Sequence, residues 1–183
     1  MKKNFERLVK IIAILVLGVF AISCGKGGKG SAEPGSIEAI KKAGKIRIGV
    51  FGDKPPFGFV DENGKNQGYD IYLAKRLAKD LLGDENKIEF ITLEAANRVE
   101  YLLSNKVDII LANFTVTDER KQKVDFAKPY MKVSLGIVSP EGAPIKDVKE
   151  LKGKKLIVNK GTTAEIYFTK NYPDIELLKY DQN

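Results

Sequence analysis

The chain has 183 residues, 43% of them hydrophobic, which suffices for one domain or parts of two. With no His and one Cys it lacks the commonest general base and metal ligand, and it cannot form an internal disulfide, a Cys–His dyad or a multi-thiolate metal site. The net charge of +7 is not a nucleic-acid signature, because three of those charges fall in the first 24 residues and the remaining lysines are scattered among carboxylates without a basic stripe.

Residues 1–10 are basic, and 11–22 form an apolar run relieved only by Gly18. A membrane-spanning helix needs about 20 such residues, so this shorter run reads as the core of an export signal. Small residues then lead into Cys24 and a stretch rich in Gly, Lys and Ser up to Gly35. The arrangement resembles a bacterial lipoprotein signal. That resemblance implies that residues 1–23 are removed, that Cys24 is acylated, and that 24–35 form a flexible tether to a membrane.

Ser36 is placed to cap a short helix over 37–43, which Gly44 ends. Lys45 to Phe51 alternates apolar and polar residues and reads as a strand. Residues 53–68 are turn-rich: Pro55-Pro56 stiffens them, and Asn63-Gly64 marks a tight reversal. Asp70 is expected to cap an amphipathic helix ending at Gly83, with Ile71, Ala74, Leu77, Ala78 and Leu81 on its apolar face. A strand over 88–93, a helix over 95–104 and a strand over 107–111 follow, the last apolar enough for burial on both faces. Thr117 begins a short charged helix. After Pro129-Tyr130 come an apolar stretch over 133–138, a short helix near Asp147, a strand over 155–158, a helix from Thr163 and a strand near Leu177. Alternating strands and helices indicate a parallel sheet with helices on its faces, an α/β architecture. The second run of such units has barely begun when the sequence stops, so the chain is expected to be a fragment of a longer protein.

Ligands of open α/β sheets sit beyond the carboxyl ends of the strands. Residues 51–59, 112–120 and 160–164 lie just past such ends. The middle segment offers hydroxyls at Thr115 and Thr117 and a guanidinium at Arg120, whose planar fork suits a carboxylate. The last, Gly161-Thr162-Thr163-Ala164-Glu165, puts free N–H groups at a helix start, where an anion is favoured. Arg98, on a helix after Asn97, is expected to be a solvated surface cation. Taken singly, these features are equally those of a surface ion pair, a helix cap and a turn.

Taken in order, they form a pattern. Ile46-Arg47-Ile48-Gly49-Val50, Pro55-Pro56-Phe57, Gly68-Tyr69-Asp70, Val107-Asp108-Ile109-Ile110, Phe114 to Arg120, Val124-Asp125-Phe126, Pro129-Tyr130 and Gly161-Thr162-Thr163-Ala164 resemble the polar amino-acid solute-binding proteins of bacterial ABC importers. Phe51 to Gly58 and Asn159 to Thr163 resemble the cysteine-binding lipoproteins within that family. The resemblance implies a two-lobed periplasmic-binding-protein fold of type II, with 36–132 as the first lobe and 133–183 as a hinge strand and the start of a truncated second lobe.

It also implies a site. Arg120 would grip the α-carboxylate, helped by Thr115 and by backbone N–H groups near Thr162 and Thr163. The Asn113 carbonyl would receive the α-ammonium, Phe51, Phe57 and Phe114 would wall the pocket, and Arg98 stands where relatives touch the ligand. Lys54 replaces an aromatic residue that many relatives stack on the ligand, and the family's acidic partner for the ammonium lies past residue 183. The implied protein is a non-enzymatic monomer without cofactor or metal. It would be lipid-anchored in the cell envelope and deliver a small L-amino acid, with cysteine expected, to permease and ATPase subunits. Two rivals share the fold: a periplasmic dehydratase-like enzyme, for which Glu165 is the nearest carboxylate, and the ligand-sensing domain of a larger receptor.

Overall fold

Ser36 opens helix α1 (Ile37–Ala43), its Oγ accepting from the Ala39 N–H at 3.2 Å, and Gly44 ends the helix at φ 72°. The computed structural model describes residues 32–182. The expected signal segment, Cys24 and most of the expected tether lie outside the described residues. From α1 the chain runs through β1 (Ile46–Val50), the short strands β2 (Asp53–Lys54), β3 (Gly58–Val60) and β4 (Asn66–Gln67), helix α2 (Tyr69–Leu82) and β5 (Ile88–Thr92). A 3₁₀ turn (Ala95–Asn97) leads into α3 (Arg98–Leu103), followed by β6 (Ile109–Leu111) and the one-turn helix α4 (Asp118–Lys121). A second 3₁₀ turn (Val148–Leu151), β7 (Lys155–Asn159), α5 (Thr163–Asn171) and β8 (Glu176–Tyr180) complete the described elements.

β1 is the middle strand of a parallel sheet in the order β5–β1–β6, with Ile46 opposite Ile88 and Ile48 opposite Ile109. The alternation read in the sequence places Ile46, Ile48 and Val50 on one face, where all three are fully buried against Ile40, Ile71, Ala74 and Ala78. Each such side chain contributes about 1.5–3 kcal/mol of transfer free energy, so this layer fixes the first sheet beneath the loops at its carboxyl edge. The second sheet is the parallel pair β7–β8, with Lys155 opposite Glu176, packed on a separate core of Leu151, Phe168 and Ile175.

Several local expectations change. Asp70 is not the cap of α2. Gly68 holds the cap position at φ 116°, and the first N–H groups of the helix are met by backbone: Tyr69 N–H donates to the Pro56 carbonyl and Asp70 N–H to the Phe57 carbonyl, both at 2.9 Å. A Cβ at Gly68 would lie 2.2 Å from the Phe57 oxygen, so the Pro55-Pro56-Phe57 turn and the Gly68-Tyr69-Asp70 helix start are two halves of one contact. Inside the turn-rich segment, β2, β3 and β4 pair into an antiparallel meander, Asp53 opposite Phe59 and Phe59 opposite Gln67. β6 is shorter than expected and half-buried, because one of its sides borders an apolar cleft of about 660 Å³ lined by Phe126, Pro129 and Met131 among others. The stretch 133–138 forms no paired strand, and Val133, Leu135 and Val138 are exposed. Its β-branched residues favour a pleated surface only where a neighbouring strand supplies one.

Candidate functional site

The loops after β1, β6 and β7 converge, and the convergence is made by two buried arginines. Arg120 lies on α4, whose cap is Thr117: the Thr117 Oγ1 accepts from the Arg120 N–H at 3.2 Å. From there the guanidinium reaches the Thr115 carbonyl at 2.7 Å through Nη1 and the Gly161 carbonyl at 2.9 Å through Nη2. Arg98 starts α3 and corrects the expectation of a solvated cation, since it is only 3% exposed. Its Nε donates to the Ala95 carbonyl at 2.9 Å, Nη1 to the carbonyls of Ala112 and Asn113 at 3.0 and 3.1 Å, and Nη2 to the Gly161 carbonyl at 2.9 Å. Carbonyl groups at loop ends thus replace water around the ion.

Phe114 binds both cations by its ring: the Arg98 and Arg120 guanidinium carbons each lie 4.7 Å from its centroid. Phe51, 2% exposed, adds a second ring 5.6 Å from Arg98. Among the described residues no carboxylate forms an ion pair with either arginine. Burial, and then the charge of Arg120, depress the pKa of Arg98; burial depresses that of Arg120 as well. Two desolvated cations that share one neutral oxygen form a site suited to an anion.

The other expected residues are placed differently. Asn113 turns the chain at φ 45°, and its carbonyl accepts from Arg98 and from the Thr115 N–H at 3.0 Å. Thr115 meets Arg120 through its backbone carbonyl, while the residue itself is exposed. Thr162 is the cap of α5: its hydroxyl donates to the Asn159 carbonyl at 2.7 Å and accepts from the Glu165 N–H at 3.2 Å, with Thr163 as the first helical residue. Phe57 enters through its backbone, as the acceptor at the start of α2. Glu165 accepts from the Gly161 N–H at 3.0 Å and from Lys179 Nζ at 2.8 Å, and the Lys179 hydrogen bond holds its carboxyl below the ordinary range. That is the state of an ionised helix cap rather than of a general acid.

Next to Phe51 lies a cavity of about 340 Å³ bordered by Asp53, Lys54, Glu94, Asn97 and Tyr101. Lys54 Nζ stands 4.8 Å from the Phe51 ring centroid and 3.5 Å from an Asp53 carboxylate oxygen. Gln182 Nε2 donates to Glu94 Oε1 at 3.1 Å, joining the segment after β8 to the first sheet's loops. Glu94, Asn97 and Tyr101 did not emerge from the sequence, where they are unremarkable residues near a helix start.

The pattern of the bacterial extracellular solute-binding proteins, family 3, matches residues 46–177. The chain belongs to that family. It is similar to the glutamine-binding protein of a Bacillus subtilis ABC transporter, with 35% identity over 99% of this chain and 68% of the relative. Among solved structures it is similar to a Neisseria gonorrhoeae solute receptor for L-cysteine, at 65% identity and TM-score 0.79 over 81% of this chain and 60% of that one. A cysteine-binding protein from Campylobacter jejuni gives 65% identity and TM-score 0.79 over 80% of this chain and 59% of that one. The chain thus spans about three fifths of the length of these two solved receptors. Its α/β sheets are those of the type II periplasmic-binding-protein fold, and the family 3 pattern reaches from β1 through Leu177 in β8.

Proposed function

We propose that this family 3 protein is the extracytoplasmic binding component of an ABC-type amino-acid importer, and that it captures a small L-amino acid, cysteine, between its lobes. The observation that carries the reading is the pair of buried guanidiniums, Arg98 and Arg120, each with Nη2 at 2.9 Å from the Gly161 oxygen. That neutral oxygen marks a position for one oxygen of an α-carboxylate. Exchange of a carbonyl for a carboxylate converts ordinary hydrogen bonds into charge-assisted ones and compensates both cations. Arg120, with its planar fork, is the principal carboxylate ligand, and the free N–H groups of the first turn of α5 at Thr162 and Thr163 add to it. The Asn113 carbonyl takes the α-ammonium in exchange for its Arg98 contact, and Phe51 and Phe114 wall the pocket. Cysteine is supported by the two 65%-identical relatives that bear its name.

On this reading residues 36–132 form one lobe and 133–183 enter the other. The protein is a monomer, held to a membrane through an acylated Cys24 after loss of residues 1–23, and its partners are permease and ATPase subunits. No step of capture needs a catalytic base. The test is a calorimetric screen of the twenty amino acids against the full-length mature protein. L-cysteine should bind in the micromolar range or tighter; heat only from another amino acid would reassign the ligand, and none from any would reject the reading.

A further inference from the structure

The cavity of about 340 Å³ beside Phe51 takes no part in the capture of a single amino-acid head. Its border nevertheless carries both charges. Lys54 Nζ lies 3.5 Å from an Asp53 carboxylate oxygen, so it keeps donors for a further acceptor, and its side chain is mostly buried. Asp181 is paired with Lys160 at 3.0 Å. Glu94 forms no ion pair among the described residues; its Oε1 accepts from the neutral Gln182 amide at 3.1 Å. The cavity thus presents a cation and an uncompensated carboxylate side by side.

Phe51 is the wall that this cavity shares with the arginine pair. The Arg98 guanidinium carbon is 5.6 Å and Lys54 Nζ 4.8 Å from its ring centroid, so the two cations stand no more than about 10 Å apart. Glu94 immediately precedes Ala95, whose carbonyl accepts from Arg98 Nε at 2.9 Å, and the turn that fixes the arginine therefore also fixes the carboxylate. One zwitterionic head needs one anion site and one cation site. Across Phe51 both requirements are repeated.

The spacing and volume name a ligand. The Cα atoms of a disulfide-linked pair lie about 4.4–6.8 Å apart, and with a carboxylate at each outer end the pair spans the interval from Arg98 to Lys54. The cavity is also within the volume range of small-molecule pockets, about 300–1,000 Å³.

We propose that this cavity is a second subsite, and that the protein accepts a two-headed amino acid, two zwitterions joined through sulfur as in L-cystine, with the distal carboxylate on Lys54 and the distal ammonium on Glu94. The inference rests on the binding function proposed above: the first head is held as described there, and L-cysteine fills that half alone. Lys54 and Glu94 are specificity-determining residues that touch only the distal head.

The test is calorimetry on the full-length mature protein and on the variants Glu94→Gln and Lys54→Met. The probes are L-cysteine under reducing conditions and L-cystathionine, which joins two such heads through a thioether that is neither reduced nor exchanged with thiols. L-cystathionine should bind the wild type at least as tightly as L-cysteine. Each variant should weaken L-cystathionine by about tenfold or more and leave L-cysteine within about twofold, because only the distal head loses a charged partner. Lys54→Arg, which keeps the cation, should retain most of the L-cystathionine affinity. A wild type that binds L-cysteine but not L-cystathionine would overturn the proposal and leave the binding function intact. Variants that weaken both ligands equally, or neither, would overturn it as well. Should one variant not fold, the other decides by the same comparison. A wild type that binds neither ligand ends both the binding function and this inference.

Discussion

Arg98 and Arg120 spend their Nη2 groups on a single neutral oxygen, so removal of either guanidinium changes both the charge of the cleft and the packing on Phe114. Arg120→Ala in the full-length protein is expected to weaken amino-acid binding by about 2 kcal/mol or more, roughly thirtyfold, because a buried carboxylate would lose its partner. Calorimetry on a variant shown by circular dichroism to be folded checks this, and unchanged affinity would pass the carboxylate to Arg98. The two arginines were not equally legible. Arg120 follows a strand and a Thr cap, which is local information. Arg98 is buried by carbonyls of Ala112, Asn113 and Gly161, up to 63 residues away, and nothing in its own neighbourhood announces them. Asp70 misled for the same reason: its place two residues after a glycine looks like a cap, while the Pro56 and Phe57 carbonyls that take over the capping are distant in sequence.

Among the elements, α5 follows the Gly161 loop, and its first turn is held by a reciprocal cap. Thr162 accepts from Glu165, and Glu165 reaches back to Gly161 and out to Lys179. Because the folded carboxyl titrates below its ordinary value near 4.5, the contribution of Glu165 is present above that pH and is lost as the pH falls through the depressed folded value. Glu165→Gln should therefore lower stability by about 1 kcal/mol or less at neutral pH, the lower end reflecting the solvent around Lys179, and should flatten the acid limb of a Tm-against-pH curve. An acid limb identical to wild type would assign that limb to other carboxylates. Elements defined by local chemistry, such as the capped helices and the alternating β1, could be read from the sequence directly. The meander β2–β3–β4 could not, because strands of two or three residues have no period to detect, and 133–138 could not, because a strand needs a partner that its own residues do not name.

At the scale of the whole molecule, what matters is where it is held and how its two parallel sheets approach. If Cys24 is the acylated anchor, Cys24→Ser should move the protein from the membrane fraction to the soluble one on ultracentrifugation; a variant that stays membrane-bound after signal cleavage would refute the anchor. The approach of the sheets centres on Gly161. It follows β7, adopts φ 70°, and brings its carbonyl to both arginines of the first sheet's loops. A Cβ there would stand 2.6 Å from the Ala96 Cα, 2.8 Å from its N and 2.9 Å from the Ala95 carbonyl oxygen, all backbone atoms that no rotamer change can move aside. Gly161→Ala is therefore expected to push the loop away from the 3₁₀ turn at Ala95 and to disturb the bridge to Arg98 and Arg120. A left-handed alanine also costs about 1 kcal/mol of backbone energy wherever it is placed. Gly153→Ala separates the two effects: Gly153 has φ 73° but nothing within 4 Å of its added Cβ, so it carries the backbone cost without the collision. Gly153→Ala should lose the backbone cost alone and Gly161→Ala more than that, and only Gly161→Ala should weaken L-cysteine binding by about tenfold or more and lack the fall in radius of gyration on ligand addition that small-angle scattering is expected to register for the wild type. Equal affinity and equal compaction in the two variants would mean that ligand capture does not need the close approach of Gly161 to the turn at Ala95.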